Sequence, residues 1–190
     1  NTREKMVAYA KEHGIPVLQH VKGIYSIDEN LWGRAIECGP LEDPWNEPPS
    51  DAFQLTVDPW NAPDEPLYVE IGFEKGVPVS LNGKPMDGVT LIQTLNTLAG
   101  GYGVGRIDMI EDRLVGFKSR EVYECPAAAV LMQAHRVMES LTLSKDVLQG
   151  KESLSQAYAK MTYEGYWYAP YKEALDAFFV EREKETTRQD

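Results

Sequence analysis

An α+β domain, in which helices flank an antiparallel sheet of several strands, is the fold class this sequence predicts, and three patterns predict it. Apolar and polar residues alternate from residue 67 to 86 and again from 106 to 118, which is the period of strands. Helical spacing governs the opening segment and the last third. Nothing repeats at a fixed period, and strands in the middle with helices toward the ends do not form a doubly wound parallel sheet.

The elements follow in chain order. "NTREKMVAYAKEHGIPV" opens on an amphipathic helix through Met6, Val7 and Ala10, with Gly14 and Pro16 as its stop. A short strand, "IPVLQHV", is expected next. In "YSIDENLWGRAIECG" Ser26 precedes Asp28 and Glu29 in the arrangement of a helix N-cap with an acidic first turn. From Pro40 to Pro66 the chain carries seven of its twelve prolines and seven acidic residues, with no Lys or Arg, so regular structure is not expected there. The same stretch holds Trp45, Phe53, Leu55, Val57 and Trp60, which predict a long loop pinned to the body by aromatics.

"LYVEIGFEKGVPVSLNGKPM" predicts an antiparallel meander turning at Lys75-Gly76 and Asn82-Gly83. "DGVTLIQTLNTLAGGYG" returns to helical spacing through Val89, Ile92, Leu95 and Leu98, with Asp87 as N-cap and Gly100 and Gly101 at the end. "RIDMIEDRLVGFK" resumes strand alternation. Helices are then expected from "PAAAVLMQAHRVMESLT", with Pro126 in the first turn, from "SKDVLQGKESLSQAYAKMTYEGYWYA", and from "PYKEALDAFFVEREKE" after Pro170.

Composition narrows the function classes. The 190 residues suit one main domain, and no segment approaches the roughly 20 apolar residues of a membrane-spanning helix, so no membrane partner is expected. A net charge of -11 opposes a phosphate backbone, whose binding is driven by Lys and Arg, so nucleic acid is not an expected partner either. Cys38 and Cys125 stand far apart with no Cys or His at ligand spacing, which predicts neither a metal site nor a disulfide, and reduced thiols in cytoplasm. No export leader is evident, and a chain that opens directly on a helix and closes on "EREKETTRQD" is expected to be a piece of a larger protein.

Four candidate chemistries can be weighed from residue types. Gly101, Gly103 and Gly105 fail the dinucleotide or phosphate pattern because the order is helix, glycines, strand. His13, His20 and His135 accompany no nucleophile motif. Tyr163, Tyr166, Trp167, Tyr168 and Tyr171 could bind a ring, but such clusters more often pack helices or fill subunit interfaces. The segment "GVGRIDMIEDRLVGFKSREVY" differs. As a strand it places Arg106, Asp108, Ile110 and Asp112 on one face and Ile107, Met109, Glu111 and Arg113 on the other. Glu111 then interrupts a mostly apolar face and needs a partner, either a neighbouring Arg or a ligand's ammonium group.

"YSIDENLWGR", "LEDPW", "FEKGVPVSLNG", "LNTLAGGYGVGRIDMIEDRLVGFKSREVYECPAA" and "YEGYWYAP" occur in an order that resembles the synthetase domain of the argininosuccinate synthase family, over nearly the whole chain. The resemblance implies an ATP-dependent ligation: citrulline's ureido oxygen is adenylated, the amine of aspartate displaces AMP, and argininosuccinate and pyrophosphate remain. The family's ATP loop, "SGGLDTS"-like, and its aspartate-binding residues belong to a preceding domain without counterpart in this sequence. ATP, with Mg, is therefore expected mainly on that domain, with no cofactor on this segment alone. Residues 1–20 are expected to be the tail of that preceding domain, 21–185 the synthetase domain with its Pro- and acid-rich loop at 40–66, and 186–190 a polar end.

Carried over by position, the family's citrulline contacts fall on Ser26, Glu111 and Tyr123. These residues would position substrate, and no catalytic proton-transfer residue is implied. Glu111 suits citrulline's ammonium group, and the two hydroxyls suit its polar ends. Where the family usually has a second serine, nine residues after Ser26, this chain has Ala35, so that a hydrogen bond is lost or a water replaces it. The implied partners are citrulline, the amino-terminal ATP- and aspartate-binding domain, and further copies in a homotetramer. A non-catalytic assembly or regulatory module on the same fold is the alternative, and Ala35 is the residue that favours it. Lys118, Ser119 and Arg120 are open to two readings, surface ion pairs or a role facing the nucleotide domain.

Overall fold

The computed structural model describes residues 3–16 and 24–184. Its architecture is α+β. A four-stranded antiparallel sheet is built from β1 (Ser26–Asn30), β2 (Gly33–Glu37), β6 (Arg106–Asp112) and β7 (Lys118–Glu124), in the order β1-β2-β7-β6. A smaller sheet holds β3 (Ile71–Glu74), β4 (Val77–Leu81) and β5 (Lys84–Pro85).

The helix N-cap expected at Ser26 is corrected: Ser26 begins β1, and the segment folds as a hairpin pairing Ser26 with Glu37 and Asp28 with Ala35. Asn30 makes the turn, its side chain accepting from the Trp32 amide at 2.9 Å. A period-two pattern settles the contest, since Arg34 and Ile36 are buried while Ala35 and Glu37 on the alternate face are not. Pairing of Ala35 with Tyr123 and of Ile36 with Val122 then fixes β2 against β7.

The stretch from Pro40 to Pro66 is a loop with short 3-10 turns at Gly39–Glu42, Ser50–Ala52 and Pro59–Asn61. It covers one face of the larger sheet, where Tyr25, Ile36, Leu41, Ala52 and Val122 form a core cluster with Phe53 against it. The expectation that the tryptophans pin this loop fails, because Trp45 and Trp60 are 93% and 95% exposed. Phe53 does pack, beneath the Arg106 guanidinium at 3.9 Å. The stronger fastening is polar. Glu124, fully buried on β7, accepts from the amides of Gln54, Leu55 and Thr56 at 2.8–3.0 Å, from the Thr56 hydroxyl at 2.8 Å and from Arg34 at 3.0 Å.

The meander forms as the sequence predicts. Lys75, Gly76, Asn82 and Gly83 all take positive φ, the geometry that tight two-residue hairpins require. Helix α2 (Gly88–Gly100) starts on Asp87, whose carboxylate accepts from the amides of Val89 and Thr90. Leu91, Ile92 and Leu95 of α2 meet Ala127 and Leu131 of α3 (Pro126–Thr142) and Phe73 and Leu81 of the small sheet in the second core cluster. Between α2 and β6 the chain must pass close to α3. A Cβ on Gly105, at φ 102°, would stand 2.5 Å from the nitrogen and Cα of Pro126.

Helix α1 (Arg3–Glu12) ends at Gly14, φ 67°. Helix α4 (Lys145–Tyr163) stops earlier than the periodicity through "YEGYWYA" predicts, with Gly165 at φ 79° just past its end, and α5 (Pro170–Glu183) follows. The aromatic residues between them are exposed by half or more instead of packing helices together, although the Trp167 ring lies under the Lys172 ammonium at 3.7 Å. Residues 17–23, which include most of the expected "IPVLQHV" strand, His20 and the expected boundary after residue 20, lie outside the described residues, as do 185–190.

Candidate functional site

The loop covers one face of the four-stranded sheet; on the other, Ile107 and Met109 are exposed and Ser26, Ala35 and Glu37 half-buried, so that face is open among the described residues. Cross-strand register places on it, from edge to edge, Asp28, Ala35, Tyr123 and Ile107 in one row. A second row, two residues along each strand, runs Ser26, Glu37, Glu121 and Met109, and a third adds Ser119 beside Glu111. All four residues singled out from the sequence therefore share this face. Ser26 and Glu111 sit on opposite edge strands, three inter-strand steps apart across the sheet and one row apart along it.

Tyr123 and Glu111 are brought into contact. The two lie several residues apart in register, so both side chains must reach along the sheet, and they meet at the Tyr123 hydroxyl, which hydrogen-bonds to Glu111 and also lies 2.8 Å from Glu121 Oε2. Burial, then the hydrogen bonds to the two carboxylates and their charge, pushes the Tyr123 hydroxyl well above the ordinary tyrosine range, so it stays a neutral phenol. Arg113 opens the turn between β6 and β7, its amide donating to the Phe117 carbonyl. Its guanidinium donates to Glu37 at 2.5 Å, to the Ser119 hydroxyl at 2.7 Å and to Glu121. Partial desolvation works against the charged form of Arg113, but the Glu37 hydrogen bond and the charges of Glu121, Glu37 and Glu111 outweigh it and raise its pKa.

Ser26 and Ala35 lie on the same face but on the two strands away from Glu111, and Ala35 pairs directly with Tyr123. A serine at 35 would set its hydroxyl beside the tyrosine. Lys118 and Arg120 point to the other face, where Lys118 is 3.0 Å from Asp112 and Arg120 is forked onto Asp108 while donating to the carbonyls of Pro44 and Asn46. Those bonds hold the Asp108 carboxyl below the usual aspartate range. Lys118 thus has the ion-pair role, Arg120 also ties down the covering loop, and Ser119 belongs to the open face.

Sequence reasoning missed Glu37, Glu121 and the linking function of Arg113. One signal was available: in "KSREVYE" the period of two puts Ser119, Glu121 and Tyr123 on one face. Glu37 could not be found this way, because its place depends on the β1–β2 hairpin that the apparent helix cap obscured.

The glycines after α2 are consumed by packing. Gly105 abuts Pro126, and a Cβ on Gly103 would stand 3.1 Å from the Val57 carbonyl oxygen, so both positions are held to glycine by close packing. Among the described residues no group of three His, Cys, Asp or Glu side chains is placed to hold a metal ion, and no helix is long and apolar enough to cross a membrane.

Comparison with known proteins covers the same ground. The family model for the arginosuccinate synthase C-terminal domain matches residues 25–189. The chain is 58% identical to the argininosuccinate synthase of Rubrobacter xylanophilus over 185 residues, which is 97% of this chain and 45% of that protein. It is 57% identical to that of Symbiobacterium thermophilum, covering 97% of this chain and 46% of the relative, and 56% identical to that of Chlorobium phaeobacteroides, covering 98% and 46%. The chain spans about half the length of the curated relatives it matches.

Proposed function

The chain belongs to the argininosuccinate synthase family, within its C-terminal domain, and on that premise we propose that it is the citrulline-holding part of an argininosuccinate synthase. The full protein then ligates citrulline and aspartate at the expense of ATP, releasing AMP and pyrophosphate in arginine biosynthesis. This chain supplies substrate positioning and is inactive alone. Its partners are citrulline, an amino-terminal domain that binds ATP with Mg and aspartate, and further copies of the protein in a cytoplasmic homotetramer.

The single observation that supports this reading most is the open sheet face, which carries Ser26, Tyr123 and Glu111 on three strands of one sheet, with Glu111 in contact with the Tyr123 phenol. Citrulline is a zwitterion with an uncharged ureido end. Glu111 holds the ammonium, Tyr123 accepts from or donates to the same end, and Ser26 reaches the far end from β1. No proton moves to or from these groups in the reaction, and their contribution is orientation of the ureido oxygen toward the nucleotide brought by the other domain.

Ala35 favours a second reading, an assembly or regulatory module that keeps the fold without firm substrate binding. Calorimetric titration of citrulline separates the two. Heat with the chain alone, or only after addition of the amino-terminal half of a relative with ATP, supports the substrate-holding role, and no heat in both cases, with the halves shown to associate, favours the module.

A further inference from the structure

The open face is short of hydrogen-bond donors in a way that picks out one residue not assigned by the family resemblance. Glu37, Glu111 and Glu121 carry three negative charges around the single positive charge of Arg113. Among the described residues, the Tyr123 hydroxyl is the only hydrogen-bond donor to Glu111, yet the same hydroxyl lies 2.8 Å from Glu121. A phenol has one proton, so it serves one carboxylate at a time.

Burial decides which. The Glu121 side chain is only 8% exposed and cannot draw a donor from water, whereas Glu111 is intermediate in exposure and faces the open side. Glu121 Oε1 takes the Arg113 guanidinium and, at 3.5 Å, the Ser119 hydroxyl, but among the described residues its Oε2 has only the phenol; an unsatisfied buried carboxylate oxygen costs more than an exposed one, so the proton belongs on Glu121 when another donor reaches Glu111. Arg113 completes the arrangement by fixing the remaining oxygen of Glu121.

We propose that Glu121 is a positioning residue that sets specificity: by taking the Tyr123 proton it leaves Glu111 one donor short, so that the face selects a ligand carrying a cationic N–H over the same ligand without it. This rests on the citrulline-holding role proposed above. A ligand ammonium then donates to Glu111 and to the Tyr123 oxygen, whose lone pair the Glu121 bond has turned outward. Were Glu121 only one half of an ion pair with Arg113, it would stabilise the turn and show no preference for the ligand's amino group.

The test is a ratio of affinities. Citrulline and its des-amino ureido acid are titrated into the chain, with the amino-terminal half of a relative and ATP present, for the parent, Glu121→Gln and Glu111→Gln. Loss of a hydrogen bond to a charged group is worth roughly 10-fold to 100-fold in affinity. We expect Glu111→Gln to remove the preference for citrulline over the des-amino acid, and Glu121→Gln to reduce it by about tenfold with the weaker ligand little changed. Equal weakening of both ligands by Glu121→Gln overturns the proposal while leaving the site intact. No preference in the parent, or an unaltered preference in Glu111→Gln, overturns the citrulline reading and the proposal with it. Should Glu121→Gln not fold, Glu121→Asp keeps the charge and the Arg113 pair but withdraws from the phenol. The same fall in preference is expected there, and an undiminished preference in that variant counts against the proposal.

Discussion

The two faces of the four-stranded sheet use carboxylates from one strand for opposite ends. On the covered face Glu124 of β7 is fully buried and holds five donor groups from Arg34 and residues 54–56. On the open face, three residues earlier, Glu121 shares a single phenol with Glu111. Glu124 is saturated and cements a loop; Glu121 has Arg113, the Ser119 hydroxyl and the shared phenol, whereas Glu111, among the described residues, has the phenol alone. Donor count, more than charge alone, separates a carboxylate spent on structure from one with capacity left to accept.

The largest effect is expected on the covered face. Glu124→Ala leaves the buried Arg34 with only the exposed Glu29 carboxylate, 3.1 Å away, and strands three backbone amides, and breaking a buried pair from one side costs about 3–5 kcal/mol. Urea denaturation should show the midpoint falling accordingly. A loss under about 1 kcal/mol would mean that the loop is fastened elsewhere and that the contrast between the faces is wrong.

Glu111→Ala should act on the other quantity. Among the described residues its side chain has a single donor, so stability should change by no more than about 1 kcal/mol, while citrulline affinity should fall by roughly 10-fold to 100-fold for a lost bond to a charged group. Retained affinity would remove Glu111 from the site, and a large loss of stability with retained affinity would reverse the roles given to the two faces.

How much of this could be read from the residues follows from the range of the interactions. The meander, α2 with its Asp87 cap and the Pro126 start of α3 rest on contacts a few residues long, and the sequence displays them. The β1–β2 hairpin does not, because "SIDEN" satisfies a local capping rule and becomes a strand only by pairing with residues 33–37, which are themselves held against Val122 and Tyr123 some ninety residues on. Glu124 was equally silent: nothing near it announces that residues 54–56 will donate to it. Glu111 and Tyr123 were singled out through family resemblance and, for Glu111, the strand period, whereas placing Glu37 and Glu121 beside them needed the cross-strand register.

A smaller effect is expected where the family's usual serine is replaced. Ala35 pairs with Tyr123, so Ala35→Ser should offer one further hydroxyl to a ligand lying across the sheet and tighten citrulline binding by about 0.5–1.5 kcal/mol, up to tenfold. Titration of the two proteins side by side measures it. An unchanged affinity would indicate that the ligand does not reach β2, and would weaken the assignment of Ser26 on β1 beyond it.

The smallest effect tests the covered face from its rim. If the loop were pinned by its aromatics, Trp45→Ala or Trp60→Ala would cost several kcal/mol, as burial of a large side chain does. Both indoles are almost wholly exposed, and the loop's own bonds run instead from Gln54, Leu55 and Thr56 to Glu124 and from Arg120 to Pro44. Each substitution should therefore shift stability by no more than about 0.5 kcal/mol in the same urea experiment. A larger loss for either tryptophan would show that a buried carboxylate does not hold this loop by itself, and that saturation of Glu124 follows from the loop's placement instead of causing it.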